Sequence, residues 1–456
     1  MKKIKNALCF FVIITIISCS ENNIEEIHVK ELTELEEVEK LYDSWINGAE
    51  NYDLEDIVAQ EKNKVQNKFF NTQVIEQQTG KGIYVHYMPW FESEETDGVW
   101  GQHWTMTNKN PNLTDSDGKR EIASHYYPLI GPYSTNDKDL QQYHLLLIKL
   151  SGVDGVIFDW YGKRDVLDFE SIKQNTESFI GELEKTTLSF AIMYEDRVIR
   201  EQSRRLTDVQ LNQAQEDIKY IEQKYMFNNN YIHINRAPLL MVFGPSYIND
   251  SYDWNLIFNS LENNVNALTL WGASNILGEG NSSGEYAWID KEHLQTLSGY
   301  YNNVIDYSQN IVGGISYPRF NDFYVEGGWK SPLEDSWTLT DNGLETFRES
   351  FDESLKHPID FIQIATWNDF GEGTQIEPTL EFGFQHLELL QEYTETTFLK
   401  EDLRVPYYIY KLRKKHPNNK MVQFLMDIAY RNAMNNNISK AKRLVALTIF
   451  YFGHDF

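Results

Sequence analysis

Cysteine is nearly absent: the 456 residues hold two, Cys9 and Cys19. A disulfide framework or a thiolate metal site is therefore excluded. No H-x-H or H-E-x-x-H pair occurs, so the usual histidine metal signatures are missing too. Positive charge is scarce, with 41 basic against 68 acidic side chains and a net charge of −27. Binding to phosphates needs a basic face, which argues against nucleic acid and against adhesion to anionic lipid through a charged surface. No repeat of 20–50 residues is visible. The longest apolar run, Ala7–Ile17, is too short to span a bilayer as a helix.

What is present is apolar and aromatic. The chain is 41% hydrophobic and 14% aromatic, enough for a large packed core. Flat rings also line grooves where sugars stack. The run Ala7–Ile17 follows Met1-Lys2-Lys3-Ile4-Lys5 and is followed by Ser18-Cys19-Ser20, the layout of a signal peptide. Ile16-Ile17-Ser18-Cys19 resembles a bacterial lipobox, in which Cys19 carries lipid and begins the mature chain. Residues 1–18 are thus read as a leader. Its loss removes Cys9 and three lysines. Residues 19–80 are read as an acidic tether, with a helical segment near Glu31–Trp45 where apolar residues recur at 3–4 spacing.

From Lys81 onward, short apolar runs alternate with longer helical stretches. Strands are expected at Gly82–Trp90, Gly155–Tyr161, Leu188–Tyr194, Pro238–Phe243, Ala267–Trp271, Gly314–Pro318 and Phe361–Trp367, with a weakly marked eighth near Phe382. Helices are expected at Lys138–Leu150, Ser171–Lys185, Asp208–Tyr225, Asn255–Asn263, Glu292–Gln309 and Gly343–Lys356. Such alternation implies a parallel sheet covered by helices. No glycine-rich phosphate fingerprint follows the first strand, which favours a (β/α)8 barrel over a doubly wound sheet. The barrel is assigned to residues 81–395 and a helical extension packed on it to 396–456.

Chemistry in such barrels sits at the C-terminal ends of the strands. Here those ends read Tyr87-Met88-Pro89-Trp90, Asp159-Trp160-Tyr161, Tyr194-Glu195-Asp196 and Trp367-Asn368-Asp369-Phe370-Gly371-Glu372-Gly373. Rings and carboxylates on one face suit a carbohydrate. Asp369 and Glu372, three apart, would point the same way if their loop turns helically. Glycoside cleavage needs two carboxyl groups close together, whereas the plainer reading of D-x-x-E is a helix cap. Asp159 and Glu195 are further candidates to touch sugar, or else strand-end acids bonded to rim amides. His86 inside the first strand reads as a packed core histidine. His103 beside Trp104, and His125 before Tyr126-Tyr127, could reach a hydroxyl. Asp115-Ser116-Asp117-Gly118 lacks the downstream glutamate of a calcium loop and reads as a turn.

The stretch Trp367–Pro378 resembles the N-E-W-H-E-G-T-Q-I-E signature of glycoside hydrolase family 99, the endo-acting α-mannosidases and mannanases. It also resembles the W-N-D-Y-x-E segment of family 71, the α-1,3-glucanases. Weaker echoes span roughly residues 82–390: Tyr87 and Trp90 resemble the first-strand aromatics of family 99, Trp160-Tyr161 its second-strand pair, and Glu195 the acid of its third strand. His125–Tyr133 with Asp154–Gly162 looks like a family 71/99-like group of Bacteroidota proteins. The resemblance implies that Glu372 is the general acid. It implies that Asp369 is the base that deprotonates the sugar's own 2-hydroxyl, giving a 1,2-anhydro intermediate and retention. Three departures stand out: Asp369 replaces a glutamate, Gly371 replaces a histidine, and Asp159 stands where family 99 has a small hydroxyl residue.

A hydrolase of an α-linked, mannan-like glycan is therefore expected, with Glu372 and Asp369 catalytic. Tyr87, Trp90, His103, Trp104, His125, Asp159, Trp160, Tyr161, Tyr194, Glu195, Trp367 and Asn368 are expected to bind substrate. No cofactor, metal or nucleic acid is expected, and membrane contact only through lipid on Cys19 at the outer membrane. An inverting α-glucanase and a non-catalytic glycan-binding lipoprotein remain the alternatives. If Cys19 carries the anchor, Cys19→Ala releases the protein from membrane fractions with its fold unchanged; retention of the variant in membranes refutes the anchor.

Overall fold

The structure, a computed structural model, describes residues 81–453 apart from 197–205, 279, 304–309, 333 and 335. The leader, Cys19 and the tether lie outside the described residues. Eight parallel strands close into a barrel: β1 Gly82–Tyr87, β2 Gly155–Trp160, β3 Ser189–Tyr194, β4 Ala237–Val242, β5 Asn266–Leu270, β6 Ser282–Tyr286, β7 Ile311–Ser316 and β8 Phe361–Ile364. Each pairs with the next, and β8 returns to β1 through Gly82↔Phe361 to Val85↔Ile364. Every residue of β1, β2, β7 and β8 is buried. One face of each strand fills the barrel and the other meets helices, which is why these strands read as near-continuous apolar runs.

Six helices wrap the barrel: α1 Lys138–Leu150, α2 Phe169–Leu183, α3 Asp208–Ile221, α4 Ser251–Phe258, α5 Leu294–Asn303 and α6 Glu345–Leu355. Caps fix where they start. The Asp137 carboxylate accepts from Asp139 N ahead of α1, and Thr207 with Gln210 forms a capping box on α3. Asp250 caps α4 in the same way, which starts that helix at Ser251 and ends it at Phe258, four residues earlier at its start than the apolar pattern indicated. After β8 come α7 Gln385–Tyr393, α8 Arg404–Lys415, α9 Lys420–Met434 and α10 Ile438–Phe452. Buried Arg413 of α8 ties this group to the barrel layer, reaching Gln142 Oε1 at 2.7 Å and Asp139 Oδ1 at 3.3 Å in α1, and Asp427 Oδ1 at 2.7 Å in α9.

The eighth strand is not near Phe382. That segment is a turn in which Gly383 N donates to Thr379 O, with Thr379 bridged to Pro128. The missing strand is β6, Ser282-Ser283-Gly284-Glu285-Tyr286, whose polar composition hides it from any search for apolar runs. A single-turn helix, Ser274–Leu277, is all that separates it from β5. The first strand also ends earlier than expected, at Tyr87 rather than Trp90.

Two strand glycines are required by close approach. A Cβ at Gly155 would stand 2.0 Å from Ser189 O, and one at Gly284 1.9 Å from Ile311 O. Gly155→Ala must push β2 away from β3, so a stability loss of about 3 kcal/mol is expected in chemical denaturation. An unchanged denaturation midpoint would contradict this packing.

Candidate active site

A cleft of about 370 Å³ opens at the C-terminal ends of the strands, within the range of small-molecule sites. Its base is the loop after β8. Trp367 N donates to His86 O at 2.7 Å, and Asn368 grips Met88, accepting from its N at 2.8 Å and donating to its O at 3.0 Å. These bonds bind the loop to the end of β1. The chain then turns: Asp369 N donates to Thr366 Oγ1 at 2.8 Å, and Glu372 N to Asp369 Oδ1 at 2.9 Å. Gly373 is left-handed at φ 68°, and a Cβ there would lie 2.6 Å from Asn321 O. The turn therefore needs glycine at 373. Asp369 caps a turn, but no helix follows it as the plainer reading of a helix cap requires, and both carboxylates line the cleft.

Environment separates the two acids. Burial raises the pKa of both. Asp369 is opposed by the N–H groups of Glu372 and Gly371, which favour its charged form. Glu372 is pushed further by the Asp369 charge, against a hydrogen bond from Tyr324 Oη at 3.2 Å. Asp369 is thus the group to ionise first and Glu372 the one to keep its proton, the division an acid–base pair requires.

Around them stand Trp90, His103, Asp159, Tyr161 and Glu195, all expected from the sequence. His103 stacks on Trp90 with ring centres 4.0 Å apart, and its Nε2 lies 2.9 Å from Asp168 Oδ2. Burial would raise the Asp168 pKa, but His103 and Gln102 hydrogen-bond it and hold it below the usual carboxylate value. Five carboxylates (Asp159, Asp168, Glu195, Asp369 and Glu372) line the cleft, and no described lysine or arginine does. No group of three or more His, Cys, Asp or Glu among the described residues is placed to hold a metal ion.

Seven expected residues lie elsewhere. Tyr87, Trp160 and Tyr194 end their strands facing outward: Tyr87 Oη meets His144 Nδ1 of α1 at 2.9 Å, Trp160 stacks on Tyr220 of α3, and Tyr194 Oη reaches Asp217 of α3 at 3.4 Å. The pleat decides this, because successive side chains take opposite faces. Asp159 and Tyr161 point in, so Trp160 between them points out. Trp367 is fully buried against His144, Trp104 is buried against Phe91, Tyr133 and Phe370, and Asn368 is used up in its grip on Met88. His125 is exposed and bonds Asn321 O at 3.2 Å outside the cleft.

His86 is packed as expected, 1% exposed beside Gln363. It is two residues before Met88, lines the cleft floor with it, and is driven to a pKa of about 3 by burial, so it is neutral there. Trp288, two residues beyond the unrecognised β6, lines the cleft with its ring edge-on to His86 at 5.1 Å. Tyr324 and Trp329 enter from the long loop after β7, and Phe243 from the end of β4. Asp115 is a turn residue, its Oδ1 accepting from Asp117 N and Lys119 N, each at 2.9 Å.

No family model matches the chain. An endo-alpha-mannosidase of glycoside hydrolase family 99 from Bacteroides thetaiotaomicron aligns over 71% of this chain and 98% of its own, with a TM-score of 0.54 and 17% identity. The two proteins share a barrel fold. A glycoside hydrolase-like protein aligns over 73% of this chain and 98% of its own with a TM-score of 0.52 and 13% identity. In sequence, a glycoprotein endo-alpha-1,2-mannosidase-like protein of Danio rerio is 23% identical over 328 residues, 65% of this chain and 70% of that protein.

Placement separates two tryptophans. Trp160→Ala opens the packing beneath α3 and should cost about 3–5 kcal/mol of stability. Trp329, 40% exposed at the cleft, should lose several-fold in glycan affinity as Trp329→Ala while keeping its unfolding midpoint. Calorimetric titration and thermal melts of the two variants check this; the reverse pattern would refute the inward and outward assignments.

Proposed function

We propose that the protein is a retaining glycoside hydrolase acting on an α-linked, mannan-like glycan. Glu372 is the general acid and Asp369 the base that deprotonates the 2-hydroxyl of the sugar being cleaved. One observation carries this reading: two carboxylates on one turn, Asp369 buried and Glu372 half-buried, face a ring-lined cleft in surroundings that separate their proton affinities. The fold shared with an endo-alpha-mannosidase and the sequence likeness to an endo-alpha-1,2-mannosidase-like protein support the choice of substrate.

In the proposed reaction, Glu372 gives its proton to the leaving oxygen as the glycosidic bond breaks. Ionised Asp369 removes the 2-hydroxyl proton, and that oxygen closes on C1 from the opposite face. Water then opens the 1,2-anhydro sugar, protons return to their starting groups, and the configuration is retained. Five carboxylates and no described cation in the cleft favour a neutral sugar over a sulfated or uronic one. The location proposed for this activity is outside the cytoplasm, on the Cys19 lipid.

Release of reducing ends from α-mannan and α-1,3-glucan tests the activity, and proton NMR of the first product reads its anomer. Glu372→Gln should lose about 10²–10⁴-fold on polysaccharide and recover much of it on a glycosyl fluoride, whose leaving group needs no acid. Asp369→Asn should stay poor on both. Because both pKa values are raised, the rate should fall at low pH as Asp369 protonates and at high pH as Glu372 ionises, with an optimum above the ordinary carboxylate range. A reversed rescue swaps the roles, an inverted first product points to a direct water attack, and glycan binding without hydrolysis leaves a binding protein.

A further inference from the structure

We propose that Tyr324, on the loop after β7, is a positioning residue that orients Glu372 and sets how readily it gives up its proton. This rests on the reading of Glu372 as the acid. The loop is built onto the acid's own turn: Asn321 N donates to Glu372 O and Phe323 N to Gly371 O, both at 2.8 Å. Those two bonds fix the backbone beneath Tyr324 relative to the backbone of Glu372. Its hydroxyl then donates to Glu372 Oε1 at 3.2 Å. The ring is held by two neighbours, stacked on Trp329 at 5.9 Å and carrying Lys330 Nζ 4.8 Å from its centre. Lys330 is itself fixed by Asp322 Oδ2 at 2.9 Å.

Position 371 fits the same arrangement. A Cβ at Gly371 would lie 3.8 Å from Tyr324 Cε1, 3.4 Å from Asp369 Oδ1 and 3.3 Å from Met106 Cε. A long side chain starting there would compete with the tyrosine for the space beside both acids. The tyrosine keeps its proton at neutral pH, since burial and the neighbouring Glu372 and Asp369 charges hold its pKa well above the ordinary value. It is therefore a constant donor. A fixed donor favours the charged form of its acceptor and opposes the burial that raises the Glu372 pKa. The charged groups facing Glu372 are Asp369 on its own turn and Asp322 and Lys330 on the β7 loop. Across the cleft stand Asp159, Glu195 and the His103–Asp168 pair.

Tyr324→Phe keeps the ring and its packing and removes the donor. The Glu372 carboxyl should then hold its proton to higher pH by about one unit. Infrared difference titration reads this directly, with the Glu372 band identified by its loss in Glu372→Gln, and it needs no catalysis. On polysaccharide, the alkaline limb of the rate profile should move up by the same amount and kcat should fall about tenfold, with KM little changed. On a glycosyl fluoride the variant should match the parent. A Glu372 titration unmoved in Tyr324→Phe overturns the proposal. A titration that moves while Glu372→Gln leaves hydrolysis intact keeps the coupling and overturns the catalytic reading of Glu372 instead.

Discussion

The cleft depends on one seam, where β8 closes the barrel against β1. A parallel barrel has no free edge only if its last strand finds its first. Four residue pairs make that closure, from Gly82↔Phe361 to Val85↔Ile364. Beyond the last pair one backbone bond, Trp367 N to His86 O at 2.7 Å, and then side chains continue the join. Asn368 presents its amide to Met88 as another strand would, accepting from N and donating to O. Behind it runs a buried chain: Asn368 Nδ2 donates to Tyr133 Oη, Tyr133 Oη to Glu377 Oε2, and His144 stands between Glu377 and Tyr87. Groups this deeply buried are costly unless partnered, so the chain admits few alternative arrangements. The turn that carries Asp369 and Glu372 begins one residue after this anchor. Its orientation follows from the seam.

A second constraint is electrostatic. Two acids share a turn in a site partly shut off from water, where like charges cannot both be held cheaply. The turn resolves this largely with backbone donors, and Lys330 of the β7 loop is the cation that bears on Glu372. Backbone N–H groups serve Asp369, which can bear the charge, and burial with the Asp369 field leaves Glu372 protonated. The strongly acidic composition thus continues into the cleft, whose described lining holds no base but histidine. His86 is neutral there. His103 is engaged with Asp168.

The fold was legible where strands are buried on both faces, because β2 and β8 are apolar on both sides except at Asp159 and Gln363. It was not legible at β6, where Ser282, Ser283 and Glu285 replace the apolar run and a bulge in its pairing with β5 breaks the register. The cost reached the site: Trp288 follows β6 and went unnoticed with it. Elsewhere the difficulty was the face. An aromatic pair at a strand end, such as Trp160-Tyr161, offers one ring to the cleft and one to the helices, and composition cannot say which. Asp159 could have settled it, since a carboxylate facing the cleft puts its neighbour in the core. Tyr324 and Trp329 carry no such signal. They sit on a long irregular loop whose course is set by hydrogen bonds to the Glu372 turn, contacts far apart in sequence.

The departures from the family signature at 369 and 371 are connected in space. The Asp369 carboxyl lies close to its own backbone, where the N–H groups of Gly371 and Glu372 meet it. A Cβ at 371 would stand in ordinary contact with both neighbours, 3.4 Å from Asp369 Oδ1 and 3.8 Å from Tyr324 Cε1. The absence of a longer side chain there leaves the space beside Glu372 to a ring from another strand's loop. Aspartate, glycine and the distant tyrosine therefore act as one arrangement, and the proton affinities of the acid pair are a property of all three.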